Sequence, residues 1–134
     1  MTLFGNFRIS ASALTAERFR MDVISNNIAN SQTTRTANGG PYQRERVVFR
    51  PLTGPNENGG VAVTAVLADN RPGHTVHDPS HPDADAQGDV TYPNVDMATE
   101  MVDMMSATRA YEANIVAFNA AKTMATKALE IGQA

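Results

Sequence analysis

The run from Val95 to Ile131 contains neither Pro nor Gly, and most of its residues are Ala, Met, Glu, Lys and Leu. Nothing in it interrupts a helix, and those side chains lose little freedom in one. Steps of four and three visit Met97, Met101, Met104, Thr108, Tyr111, Ile115, Phe118, Lys122, Ala125 and Leu129, which are apolar apart from Thr108 and Lys122. A spacing of 3.5 residues sustained this far predicts a coiled-coil seam. At about 1.5 Å per residue the helix is roughly 55 Å long, more than a compact domain of this size can cover. Pro93 and Asn94 precede it, and Asp96, Glu100 and Asp103 sit where the N-terminal dipole favours acids. Lys122 and Lys127 lie near the other end, before Gly132. Such a helix needs a partner.

A second helical pattern runs from Phe4 to about Ile28, with Phe7, Ala11, Leu14, Met21, Ile24 and Ile28 on one stripe. Asn26, Asn27 and Asn30 close it, since Asn tolerates the left-handed conformation that ends helices. Ser31 to Pro41 is dense in turn formers. Tyr42 to Arg50 alternates as a half-buried strand, with Val47 and Phe49 on one face and Arg44, Arg46 and Arg50 on the other. Thr53 to Gly60 reads as a hairpin-type loop. Val61 to Ala68 is the strongest strand, placing Val61, Val63, Ala65 and Leu67 on one side. Weaker strands follow around Thr75–His77 and Asp89–Tyr92. The expected architecture is α+β: long N- and C-terminal helices paired as a coiled coil, with a small β-rich insertion between them. Its divisions are 1–34, 35–93 and 94–134.

Candidate chemistry is sparse. There is no Cys, which excludes disulfides and thiol catalysis, and the net charge of -3 gives no general attraction to nucleic acid. No apolar run approaches the roughly 18 residues of a spanning helix, and the N-terminus shows no secretory signal pattern. His74, His77 and His81, with Asp78, Asp83 and Asp85, invite a metal reading, as a small metal-binding module would need. They sit among Pro79, Pro82 and Gly88, where local side-chain hydrogen bonds are the simpler use. Asp83, Asp85, Gln87 and Gly88 imitate the opening of a calcium loop, but Asn94 stands where the closing Glu should be. No phosphate-binding Gly loop, nucleophile elbow or His–Glu helix pair is present, so no catalytic residue, cofactor or small-molecule substrate is expected. Glu100 and Asp103 share a helix face, but a helix beginning there wants acids in any case.

Ser12 to Thr34 resembles the N-terminal signature of bacterial flagellar axial proteins, the rod, hook and hook-associated components. The match centres on Ser25, Asn26, Asn27, Ile28, Ala29 and Asn30, followed by Thr33. Gly39 to Phe49, Asp78 to Asp96 and Glu100 to Gly132 look like the short subunits of the proximal rod, and the resemblance covers nearly the whole chain. Thr108 departs from a familiar Ser, and Asp89 stands where an aromatic is expected. The short middle region sets the chain apart from distal rod or hook components, which carry larger outer domains.

The resemblance implies a non-enzymatic subunit of the flagellar basal body. Such a subunit is exported without a cleaved signal and polymerises helically into the periplasmic rod. Its partners would be copies of itself, other rod proteins, and the base-plate protein linking the rod to the membrane ring and export gate. The terminal helices would pair as a coiled coil that lines an axial tube, with Phe7, Leu14, Met21 and Ile28 on one side of its seam. Met97, Met101, Met104, Tyr111, Ile115, Phe118 and Leu129 would face them.

Overall fold

The computed structural model describes residues 3–53 and 59–132. The hairpin-type loop expected over Thr53–Gly60 lies largely outside the described residues. The order is α1 (Leu3–Ala29), β1 (Glu45–Pro51), β2 (Val61–Ala68), β3 (Thr75–His77), β4 (Asp89–Thr91) and α2 (Met97–Gly132). This is an α+β chain with a helix at each terminus and two antiparallel two-stranded sheets between them, β1–β2 and β3–β4. α1 lies against α2 and also against both strands of the first sheet.

The helices run antiparallel. Asn27 meets Glu100, Met21 meets Thr108, and Phe7 meets Phe118 edge-on with ring centroids 5.2 Å apart. α1 has 27 residues and α2 has 36, so the last turns of α2 run past the start of α1. There Met124, Leu129 and Ile131 are 59%, 70% and 78% exposed.

The face that α2 turns inward differs from the expected stripe at every second position. Glu100, Met104, Ala107, Tyr111, Asn114, Phe118, Ala121 and Ala125 are buried or half-buried, again at steps of four and three. Met104, Tyr111, Phe118 and Ala125 belong to both lines, whereas Met97, Met101, Thr108, Ile115, Lys122 and Leu129 are exposed in the single chain. Met101 and Ile115 draw the expected stripe away from Glu100 and Asn114. The packed helix instead turns Ala107 and Ala121 inward, because small side chains let two backbones approach. On α1, Phe7, Leu14, Met21 and Ile28 are half-buried.

The β1–β2 hairpin packs its Val47 and Phe49 side toward α1. Phe49 pairs with Val63 but Val48 with Ala65, so Thr64 is the extra residue of a bulge. The bulge reverses the side-chain alternation of β2. The register sets Val61, Val63 and Val66 on the side of Phe49 and Val47, and Ala65 and Leu67 on the side of Val48 and Arg46, so the single face expected for β2 is split. Entry to β2 depends on Gly60 at φ +113°, where any Cβ would collide with Ser12 Oγ. That hydroxyl accepts a hydrogen bond from Val61 N–H at 3.1 Å.

The buried apolar residues are few: Ala16, Val23, Ile24, Val90, Ala107 and Ala121. Larger than most of them, and more deeply buried, are two polar side chains, Asn27 at 1% exposure and Glu100 at 0%. The centre of the molecule is polar.

Candidate functional site

Asn27 lies in the last turns of α1, within the motif Ser25–Asn30, on the side facing the hairpin. Its side-chain Oδ1 accepts from Glu45 N–H at 2.9 Å, and its Nδ2 donates to Glu45 C=O at 2.9 Å. One amide thus meets both backbone groups of the first residue of β1, as a neighbouring strand would. Asn27 Nδ2 also donates to Glu100 Oε2 at 3.0 Å, and the Tyr42 hydroxyl donates to Asn27 Oδ1 at 3.0 Å. Burial pushes the Tyr42 phenol above its ordinary value, helped by the carboxylates of Glu45 and Glu100.

The second member is Arg44. Its Nε donates to Glu100 Oε1, and its Nη2 donates to Asp103 Oδ2 at 2.9 Å. Asp103 is approached from the other side by Arg20 of α1 at 3.9 Å. Arg44 was expected on a solvent-facing strand surface. It lies instead just before β1, and its side chain is only 14% exposed. Its backbone N–H donates to Asn94 Oδ1 at 2.8 Å, while Asn94 Nδ2 donates to the carbonyls of Asp69 and Arg71. Both helices, the start of β1 and the segments that follow β2 and precede α2 are therefore tied together around Arg44 and Glu100. A buried carboxylate is tolerable only when paired and fully hydrogen-bonded, and Arg44 with Asn27 supplies both.

α2 begins on its own cap. Asp96 Oδ1 accepts from Ala98 N–H at 3.1 Å, and Thr99 Oγ1 donates to Asp96 Oδ2 at 2.7 Å. These bonds hold the Asp96 carboxyl below the usual carboxylate range. Asp96 is the capping residue. α1 ends differently from expectation. Among the described residues only glycines have positive φ, so no Asn adopts the left-handed conformation. Asn30 N–H and Nδ2 both donate to Asn26 C=O, and Thr33 Oγ1 donates to Asn30 Oδ1 at 3.2 Å. Ser25, Asn26 and Ala29 are exposed, and Ile28 is half-buried on the α2 side.

The three histidines have separate partners apart from Tyr92, whose ring both His74 and His81 approach. His74 stacks on Tyr92 with ring centroids 5.2 Å apart, and His77 Nδ1 lies 2.8 Å from Asp89. His81 Nδ1 accepts from Asp83 N–H at 3.1 Å. Asp83 receives Thr34 Oγ1 and pairs with Arg35, and Asp85 Oδ1 accepts from the backbone of Gln87 and Asp89. Among the described residues no three His or carboxylate side chains converge on one point. No helix of the described residues is long and apolar enough to cross a membrane.

Sequence reasoning singled out Asn27 as part of a motif but missed its partners, and it read Glu100 only as a helix-start acid. The available signal was the coincidence of a motif Asn, an Arg at the mouth of the first strand and an acid on the seam side of the last helix.

Comparison with known proteins agrees along the whole length. Residues 7–35 match a family described as flagella basal body rod protein. Residues 86–131 match the C-terminal region of the flagellar basal body rod FlgEFG proteins. The chain is 46% identical to the flagellar basal-body rod protein FlgC of Bacillus subtilis, covering 99% of this chain and 100% of that one. It is 45% identical to FlgC of Borreliella burgdorferi, covering 99% of both chains, and 42% identical to FlgC of Salmonella typhimurium, covering 99% of this chain and 100% of that one. The first matched region ends in the motif that holds Asn27, and the second contains Glu100. Helix pair, polar junction and full-length similarity converge: the chain belongs to the FlgC family of flagellar basal-body rod proteins.

Proposed function

We propose that this chain is a structural, non-enzymatic subunit of the proximal rod of the flagellar basal body. It polymerises helically, transmits torque and forms part of the wall of the export channel. The observation that carries this is similarity above 40% identity to basal-body rod proteins over 99% of the chain. The two terminal helices pack as the axial coiled coil, with 35–93 as an outer β-rich insertion. Copies of the chain, other rod proteins, and the base-plate protein joining the rod to the membrane ring and export gate are its partners. It reaches the periplasm through the flagellar export apparatus. The apolar residues left exposed on α2, including Met97, Met101, Ile115 and Leu129, support the reading, since neighbouring subunits can bury what one chain cannot.

Substituting Ile115 tests it. Ile115 is 37% exposed in the single chain, so Ile115→Asp costs the isolated fold only the part of its burial made there, about 1–2 kcal/mol. In the rod every copy repeats a buried carboxylate at a subunit contact, so motility should be lost while the subunit is still made and exported. His77→Ala, in an exposed side chain of the insertion, should leave motility nearly intact. A motile Ile115→Asp strain beside a non-motile His77→Ala strain would overturn the assignment of assembly to the helices.

A further inference from the structure

We infer that two specific faces join neighbouring copies: the Arg18–Asp22 face of α1 in one copy and the Val102–Glu112 face of α2 in the next. The inference rests on the rod reading and names which surfaces make it.

On α2, Val102, Met105, Arg109 and Glu112 lie on the side opposite Ala107, turned away from α1. Val102 and Met105 are 60% and 54% exposed. With Ser106 and Arg109 they line a shallow groove of about 240 Å³, larger than the roughly 150 Å³ that holds a benzene ring in a protein core. On α1, Phe19 is 40% exposed, flanked by exposed Arg18 and Asp22. Residues three and four apart on a helix are surface neighbours, so each face carries an apolar centre with one cation and one anion. Among the described residues none of Arg18, Asp22, Arg109 and Glu112 has a hydrogen bond or ion pair from its side chain.

The order of charges chooses the orientation. If α1 of one copy runs antiparallel to α2 of the next, Asp22 meets Arg109 and Arg18 meets Glu112. If the two run parallel, both pairs are like-charged. α1 and α2 are antiparallel within one chain, so the favourable arrangement arises between copies pointing the same way. That is the relation a polar filament requires. The two faces are different surfaces, so the contact is heterologous and repeats from copy to copy, into a ring or an open helix according to the rotation between copies. Phe19 of one copy then enters the groove beside Met105 of the next.

The experiment uses the full-length chain and reads association by sedimentation velocity over a concentration series, with helicity checked by circular dichroism. Asp22→Arg and Arg109→Asp should each weaken association roughly tenfold or more, since each sets like charges against each other at every contact. Mixing the two variants should restore it: Arg at position 22 of one chain meets Asp at 109 of the other, and the remaining contact is native. Only properly folded chains can rescue each other, so restoration also excludes misfolding. Phe19→Ala should weaken association without altering helicity. Single variants that associate like the native chain, a mixture no better than its components, or a native chain that stays monomeric would each overturn the inference. In the last case a different rod protein covers these faces. None of these failures touches the rod assignment, which is read separately by whether the native chain restores motility to a strain lacking its own copy.

Discussion

The two ends of the helix pair are held by different physics. At the Asn27–Glu100 end the contact is polar, buried and satisfied within one chain, with Arg44 and Asn27 covering both oxygens of Glu100. At the Phe7–Phe118 end it is an aromatic edge contact between half-buried rings, and beyond it α2 continues with Leu129 and Ile131 in solvent. The polar end depends on every partner being present, because any one lost leaves a buried charge or donor stranded. The apolar end fails gradually, because each contact contributes by area. One end defines how the two helices and the hairpin meet, and the other leaves apolar side chains exposed.

The largest test of that contrast is Glu100→Ala. It leaves Arg44 Nε and one donor of Asn27 without their acceptor while Asp103 still pairs with Arg44 Nη2, so the cost falls at the low end of the about 3–5 kcal/mol for a broken buried ion pair. Denaturant unfolding followed by circular dichroism should show a correspondingly lower midpoint. A loss below about 1 kcal/mol would mean that water replaces the carboxylate and that the junction is less enclosed than it looks. Phe118→Ala should cost about 1–2 kcal/mol, from partial burial plus the edge-to-face contact with Phe7. If the second variant proves the more damaging, the apolar end dominates and the comparison is reversed.

Asp96→Ala separates the helix start from the junction that follows it four residues later. Removing a cap of this kind costs about 1 kcal/mol. Asp96→Asn, which keeps an acceptor for the Ala98 N–H, should recover most of it. Equal losses in the two variants would show that the charge near the dipole, rather than the cap, stabilises this end of α2.

Long-range features of this kind were only partly legible in the sequence. Both helices and four strands were readable, since their periods are local and Gly, Pro or Asn stands near most of their ends. The axial-protein signature around Asn27 was readable too. The inward face of α2 was not, because Met101 and Ile115 outweigh Glu100 and Asn114 in any count of apolar residues. The packing partner, which decides the matter, lies on the other terminal helix. The same holds for Glu100 itself: an acid in a first turn has a sufficient local explanation, and only the approach of Arg44 and Asn27 from distant parts of the chain gives it another. Thr64 shows the limit in the hairpin, where one bulged residue reverses the face of half a strand without a Gly to announce it.

The smallest expected effect lies outside both ends, in the turn after β2, and separates the insertion from the helices. Asp69 is buried at 6% exposure, and Arg71 folds back on it, with Nε and Nη2 donating to its carboxylate and the Arg71 backbone N–H donating to Oδ1. The Arg71 hydrogen bonds hold the Asp69 carboxyl down to about 2. A carboxyl whose folded value lies below its unfolded value, about 3.9, adds stability that is complete above the unfolded value. That stability is lost as pH falls through the folded value, so the window is roughly pH 4 down to 2. The Arg71 side chain is 71% exposed, so salt screens the pair and the contribution is modest. Asp69→Asn should therefore lower the melting temperature slightly at pH 7 and narrow the gap to the native chain as pH falls towards 2. Amide exchange at pH 3 should show the turn around Asp69 loosening while Ala107 and Ala121 stay protected. Simultaneous loss of protection in both places would show that the insertion and the helix pair unfold as one unit, and that the Asn94 bonds to Asp69 and Arg71 carry the coupling.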